Sequence, residues 1–445
     1  MHKLPNFDND YGLRTLRRRI NSYLRFAPPC GNLTAMNVFV VIAIAMVLII
    51  VALRKKVPIG PSILGGGLLI WVLVKPEVAL LGQAAKEMLT MQRTYDLLLA
   101  LYFVVCLEIE LRKSGCLKGM VQYLNHLIHS TKVTLAVMPA FLGLLPSVGG
   151  ARFSAPIVDN ASKGMTIKAE EKAIVNLWFR HIFEYSSPII PGMILACSIV
   201  GIGVGELIVH LAWVTALMFI IGWILFVRPM KFQDIRAQQM IDDPDFDLNH
   251  ARTDFWMSIL PVLAVFVLMV FCGMGAAISM GLIAALMIPV LMGMNRAVGV
   301  KEVFIGAIEW KLLRDVSCIL FFIQLLDVTG VLAQVVTSFR AAPLPTPVII
   351  AGLSFLIGVL TGMSQGHVAI VMPIVALLAP QAPLDLVGVA LVFGVGGQMV
   401  TPTHVCLIVT LDYFKADFFK TLLPVALAEA LLLGTFSAYT YLTWN

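Results

Sequence analysis

The chain has 445 residues, of which 59% are hydrophobic and 13% charged, with a formal net charge of +6. That charged share is about half of what a soluble domain carries, so the composition excludes a soluble domain and points to the membrane class. The basic residues Lys3, Arg14, Arg17, Arg18, Arg19 and Arg25 crowd the start, a pattern suited to anionic lipid headgroups; no aromatic-basic groove accompanies them, so nucleic acid is not implied as a partner.

Residues 1–35 match neither a secretory signal nor a transit peptide, because Asp8 and Asp10 interrupt the basic stretch and no small-residue cleavage site follows the first apolar run. They read as a basic juxtamembrane segment, or as an over-long start. A helix needs about 20 apolar residues to cross the hydrocarbon core. Runs near that length cover 36–53, 58–74, 96–111, 206–227, 255–274, 276–294, 315–330 and 421–444. Runs 131–145 and 346–360 are apolar but shorter, and each ends in a Ser/Gly cluster. Such lengths predict re-entrant hairpins. Runs 171–201 and 386–414 are long enough to cross, but a hydroxyl-proline group interrupts each, which predicts broken transmembrane helices. The charged stretch 228–254 is predicted to link a first membrane repeat, 36–227, to a second, 255–445. Basic residues before the first span favour a cytoplasmic N-terminus, and Arg54, Lys55 and Lys56 after it oppose that orientation. The seven cysteines (Cys30, Cys106, Cys116, Cys197, Cys272, Cys318 and Cys406) are scattered singly. They read as apolar filler, with neither a disulfide framework nor a zinc site implied.

The two halves overlay. Ser147, Gly149, Pro156, Ile157 and Val158 recur as Ser364, Gly366, Pro373, Ile374 and Val375 at an offset of 217 residues. Asp96, Phe103 and Glu108 meet Asp315, Phe322 and Asp327 at 219, and Ser187-Pro188 meets Thr401-Pro402 at 214. Each half counts three spans, a non-crossing hairpin, a broken span and a last span. That gives five crossings, the odd number an inverted-topology repeat requires, and such pairs mark a midplane binding site.

Backbone groups freed at a break in hydrocarbon cost several kcal/mol each unless something pairs them. At the hairpin tips, Ser147, Gly149, Gly150, Ser364 and Gly366 supply hydroxyls and bare backbone that a ligand can approach closely. Ser186, Ser187, Thr401 and Thr403 add oxygens at the broken spans. Helix N-termini there favour an anion and freed carbonyls favour a cation, so two oxygen-rich pockets for Na⁺ and a polar solute are expected. The competing reading is close helix packing by small residues. Arg180 and Glu184, four apart on one predicted helix face, read as a mutual ion pair, or as an anion contact and a cation or proton site. His181 and His404 flank the breaks, as packing residues or as solute and proton contacts. Arg152 and His367 follow the tips, at a rim or against an anion. The acidic pairs Asp96/Glu108 and Asp315/Asp327 are twelve apart, about 120° around a helix, so they suit helix ends and interhelical pairing.

Gly362-Met363-Ser364-Gln365-Gly366 matches the G-x-S-x-G nucleophile elbow of hydrolases, which needs a strand before it and a helix after it. Here it ends a short membrane run, and its repeat partner has Leu145 where the leading Gly should stand. No H-E-x-x-H, Walker A or G-x-G-x-x-G context supports metalloprotease chemistry, ATP-driven pumping or a bound cofactor.

The stretch 177–192, with Arg180, His181, Glu184, Ser187-Pro188 and Pro191-Gly192, resembles an uncharacterised prokaryotic membrane family, domain of unknown function 401. So do 150–159 and 401–415, and the similarity runs from Met36 onward. The family is grouped with the ion transporter superfamily of gluconate, divalent-anion and arsenite carriers. The resemblance implies a prokaryotic cytoplasmic membrane protein, a homodimer, and a mobile transport unit moving elevator-fashion against a scaffold. In divalent-anion relatives, Ser-Asn-Thr triplets at the tips bind carboxylate and sodium. Here Ser147-Val-Gly149 and Ser364-Gln-Gly366 stand in their place, which argues against a dicarboxylate.

The sequence thus predicts an all-α polytopic membrane protein and a secondary transporter of a small anionic organic solute coupled to Na⁺ or H⁺, with no cofactor and no enzymatic activity. The rival readings are an intramembrane serine hydrolase using Ser364, and a passive channel. Solute contacts are expected from Ser147, Gly149, Gly150, Arg180, His181, Ser187, Ser364, Gly366, Thr401, Thr403 and His404. Coupling-ion contacts are expected from Ser147, Glu184, Ser186, Ser364 and Thr401, and no other metal is called for.

Overall fold

The computed structural model describes residues 37–55, 57–128, 130–144, 151–232, 247–296, 298–341, 343–378 and 383–444. Residues 1–35, Ser147, Gly149 and Gly150 lie outside them. The described residues are helical and contain no strand.

Among the described residues, ten α-helices lie before position 228 and ten begin at or after position 248, in matching order. The first set is α1 (Val38–Arg54), α2 (Ile59–Val74), α3 (Val78–Thr90), α4 (Gln92–Lys113), α5 (Cys116–Leu127), α6 (Thr131–Gly143), α7 (Ala151–Ala161), α8 (Ala169–Arg180), α9 (Pro191–Val200) and α10 (Val204–Gly222). The second is α11 (Leu248–Val270), α12 (Ala276–Gly293), α13 (Val300–Gly306), α14 (Trp310–Val328), α15 (Val331–Ala341), α16 (Thr346–Thr361), α17 (Ser364–Leu378), α18 (Pro383–Met399), α19 (Val405–Phe414) and α20 (Phe418–Thr443). The ends repeat as well. Gly201 caps α9 and Lys415 caps α19, both in the left-handed region at φ 85° and 53°.

Packing between the sets is reciprocal. Helix α2 lies on α14 and α12 on α4; α9 lies on α17 and α19 on α7; α6, α7 and α8 pack on one another as α16, α17 and α18 do. Exchanging the two halves preserves these pairings.

Among the described residues, four helices are long and apolar enough to cross a membrane by length and composition: Val204–Val227, Leu248–Val270, Ala276–Gly293 and Phe418–Thr443. Their outer faces are apolar as well. On α12, Ile278, Leu282, Leu286 and Val290 form an exposed stripe at i, i+4 spacing, while Met280, Ile283, Ala284 and Met287 on the other face are buried. On α20, Phe419, Leu423 and Leu427 are exposed and Val425, Ala428 and Leu432 buried. Two apolar faces on one helix suit lipid on one side and protein on the other. The chain is an integral membrane protein.

Helix α11 begins at Leu248, inside the stretch predicted as linker, because the Asp247 carboxylate caps it by accepting from the backbone N–H groups of Asn249 and His250 at 2.9 and 3.2 Å. The first turns are pinned by Asp254, buried in an ion pair with Arg296. Two of the acidic residues expected to pair between helices form ion pairs within their own: Glu108 with Arg112 at 2.8 Å, and Asp315 with its neighbour Arg314 at 2.8 Å.

Candidate functional site

Both predicted helix breaks are present. Helix α8 ends at Arg180, a single 3-10 turn covers Ile182–Tyr185, and α9 starts at Pro191. Its fixed φ and missing N–H suit Pro191 to a first helical position. Helix α18 ends at Met399, and α19 starts after the non-helical stretch 400–404. One hydroxyl residue of each break is buried: Ser187 is 0% and Thr401 1% exposed, while Pro402 beside Thr401 is exposed.

The freed polar groups are partly satisfied within each break. Ser186 Oγ and Thr215 Oγ1 lie 2.7 Å apart, tying the first break to α10. Ser187 Oγ accepts from the Ile189 N–H at 3.4 Å. Thr401 and Thr403 hydroxyls lie 3.0 Å apart, and Thr403 Oγ1 donates to the Val359 carbonyl at 3.4 Å.

The two breaks meet. The His181 and His404 rings stand edge to face with centroids 4.8 Å apart. Both are buried, at 3% exposure each. His181 Nδ1 lies 2.7 Å from the Leu177 carbonyl oxygen, one turn back on α8. A carbonyl can only accept, so Nδ1 carries the proton and Nε2 keeps a free lone pair. A ligand atom from each of His181, His404 and Cys406 lies within 4.8 Å of the other two, and Asn176 donates to Thr410 Oγ1 at 3.0 Å to dock α8 on α19.

The second hairpin tip enters the same crossing. Gly362 adopts φ 63°, which turns the chain sharply between α16 and α17, and its bare Cα faces Thr403. Ser364, the first residue of α17, sits against Gly192 at the start of α9 and beside the Glu184 side chain. On the first-half side, α6 brings Gly143 against the Arg180 carbonyl. Thus Arg180, His181, Glu184, Ser364, Thr403, His404 and Cys406 gather at one crossing where the sequence predicted two separate pockets.

Two expectations change. Arg180 and Glu184 do not share a continuous helix face, because α8 stops at Arg180 and the 3-10 turn re-aims the chain; Arg180 Nε and Nη1 have no hydrogen-bond partner. Gly366 packs against Thr361, across the turn between α16 and α17. His367 is wholly buried against Gly394 of α18, away from any rim. The helix α16 also precedes Ser364 where a nucleophile elbow requires a strand.

The family described as protein of unknown function (DUF401) matches residues 35–442. The chain belongs to the DUF401 family. No curated protein matches this DUF401 chain.

Sequence reasoning passed over Cys406 and Glu429. Cys406 follows His404 by two residues, and a His-x-Cys pair beside a helix break was the signal. Glu429 lies on α20 at 1% exposure with both carboxylate oxygens unpartnered. Its lone acidic charge within 421–444 was legible but was absorbed into an apolar run.

Proposed function

We propose that this DUF401 protein is a secondary active transporter that moves a small anionic organic solute across the membrane, coupled to Na⁺ or H⁺. The observation that carries the reading is the buried meeting of two broken helices, one from each half, with imidazole, guanidinium, carboxylate and hydroxyl groups converging on it. A membrane protein breaks helices at depth where the freed groups line a site, and a pair of breaks in corresponding positions is what an alternating-access binding site is built from.

The two sets of helices are inverted-topology repeats in this reading, with α6–α7 and α16–α17 as re-entrant hairpins. The N-termini of α9, α17 and α19 direct partial positive charge at the crossing, and Arg180 adds a full one, so a carboxylate or similar anion is the favoured solute. Oxygens of Glu184, Ser186, Ser364 and Thr401, with that of Ser147, coordinate the coupling cation in this reading. In this reading the protein is a member of the ion transporter superfamily, works as a homodimer in a prokaryotic cytoplasmic membrane, and moves its hairpins and broken helices elevator-fashion.

The test is uptake into proteoliposomes against a panel of organic anions, with and without a sodium or proton gradient. Accumulation above equilibrium that collapses with the matching ionophore supports the transporter. Equilibration insensitive to ionophores would establish a channel instead. Labelling by a serine-directed covalent probe that disappears in Ser364→Ala would establish a hydrolase.

A further inference from the structure

We propose that His181, His404 and Cys406 form an exchangeable binding site for a transition-metal ion of the zinc class at the crossing of the two breaks. Each residue offers one ligand atom, and the three atoms lie within 4.8 Å of one another. Tetrahedral zinc with metal–nitrogen bonds of about 2.0–2.1 Å and a metal–sulfur bond of about 2.3 Å holds its ligand atoms roughly 3.3–3.7 Å apart. The three groups therefore need to close by about 1 Å around an ion.

Two further features favour metal over simple packing. His181 is oriented as metal-binding histidines are: its Nδ1–H is held by the Leu177 carbonyl at 2.7 Å, which fixes the tautomer and aims the Nε2 lone pair. His404 is 3% exposed, yet its Nδ1 has no hydrogen-bond partner. An unsatisfied buried ring nitrogen costs free energy, and a bound cation recovers it. Two imidazoles and a thiol are a borderline-to-soft donor set, which selects zinc-like ions over Na⁺, Mg²⁺ or Ca²⁺. Three protein ligands leave one tetrahedral position open, the pattern of sites that exchange a ligand; structural zinc sites close all four. The three ligands come from both halves, so a bound ion ties α8 to α19 across the crossing.

The experiment uses the full chain, purified in nanodiscs, stripped with chelator and titrated with Co²⁺. A thiolate-to-cobalt charge-transfer band in the near ultraviolet, with intense visible bands that saturate at one ion per chain and are displaced by Zn²⁺, is expected. Cys406→Ser abolishes the charge-transfer band, and His404→Gln weakens Co²⁺ binding by at least about tenfold. Absence of the band, its persistence in Cys406→Ser, or unchanged affinity in His404→Gln overturns the proposal. Because either variant can fail to fold, the wild-type chain carries a second readout: alkylation followed at peptide level. Zn²⁺ slows modification of Cys406 and leaves the exposed Cys272 unaffected. Equal protection of both, or of neither, also overturns it. Neither readout depends on transport, so the result stands apart from the outcome of the uptake assay.

Discussion

His181 and His404 stand edge to face, 4.8 Å apart with their ring planes at 68°, although they occupy non-equivalent places in the two halves. At the 214-residue offset that aligns the breaks, His181 falls on Val395 and His404 on Ile190. The symmetric scaffold supplies the breaks, while an asymmetric pair of side chains fills the space between them. Groups in contact act as a unit, so their deletions are not additive. His181→Ala and His404→Ala each lower initial uptake at least about tenfold, and the double variant is little worse than either single one. Initial rates in proteoliposomes of equal protein content measure this. Independent, multiplicative losses would separate the two residues functionally.

Ser364 touches Gly192 from the opposite half and lies beside Glu184. Removing its hydroxyl leaves the fold intact, because Ser364 starts a helix and α17 is held by its buried apolar face. Ser364→Ala therefore weakens coupled uptake while melting within about 2 °C of wild type, since one exchanged hydroxyl is worth roughly 1 kcal/mol. Ser147→Ala is expected to act in the same direction through the first tip. Normal uptake in both variants would remove the hairpin tips from the site.

The hydrophobic runs announced most helices because lipid-facing length is written into composition. The breaks were legible because a hydroxyl-proline group in an apolar run has few other uses. Convergence was not legible. That α17 delivers Ser364 to the α9 start depends on how the halves dock, and docking is set by shape: bare glycines such as Gly192 and Gly362 let backbones close on partners far away in sequence. Helix-face arithmetic failed at Arg180 and Glu184 for a local reason. It assumed a continuous helix through the very residues where the sequence had already marked a break.

Helix α18 packs on α17 and α16 through bare backbone. A Cβ added at Gly394 would run into the His367 ring, and one at Gly397 into the Phe355 carbonyl. Overpacking of this kind costs about 1–3 kcal/mol, because neither a ring enclosed on all sides nor a backbone carbonyl can yield. Gly394→Ala lowers Tm in detergent, whereas Gly352→Ala on the same helix pair meets nothing within 4 Å and holds or raises it. Equal effects from the two substitutions would show that the glycines are not packing contacts.

Asp254 and Arg296 pair at 5% and 9% exposure, away from the crossing, and Arg296 also reaches the Ser114 carbonyl at 3.4 Å. The pair thereby ties α11 and the segment after α12 to the start of α5. Deleting one partner strands a buried charge, so Asp254→Ala costs roughly 3–5 kcal/mol, whereas an apolar exchange of both, Asp254→Leu with Arg296→Met, recovers most of it. Thermal unfolding reads both. The double variant transports normally, since neither side chain reaches the crossing; impaired uptake at restored stability would extend the site to this end of the molecule.

Glu429 tests whether a buried charge serves function or packing. It stands on α20 where the first half has Thr215, the partner of Ser186 at 2.7 Å. No hydrogen bond satisfies either carboxylate oxygen, and the nearest fit is tight: a Cβ on Gly396 would come within 2.9 Å of Oε1. An ionisable group at membrane depth costs about 2.5–3.5 kcal/mol on insertion scales, so nothing in packing alone retains it. Glutamine has the same shape without the charge. Glu429→Gln therefore keeps Tm equal to or above wild type, because it removes a desolvation penalty that no partner offsets. Uptake falls in the same variant, because the carboxyl is the only feature lost. A Glu429→Gln protein that transports at the wild-type rate would make Glu429 a tolerated packing residue, and a lower Tm would reveal a partner for its charge.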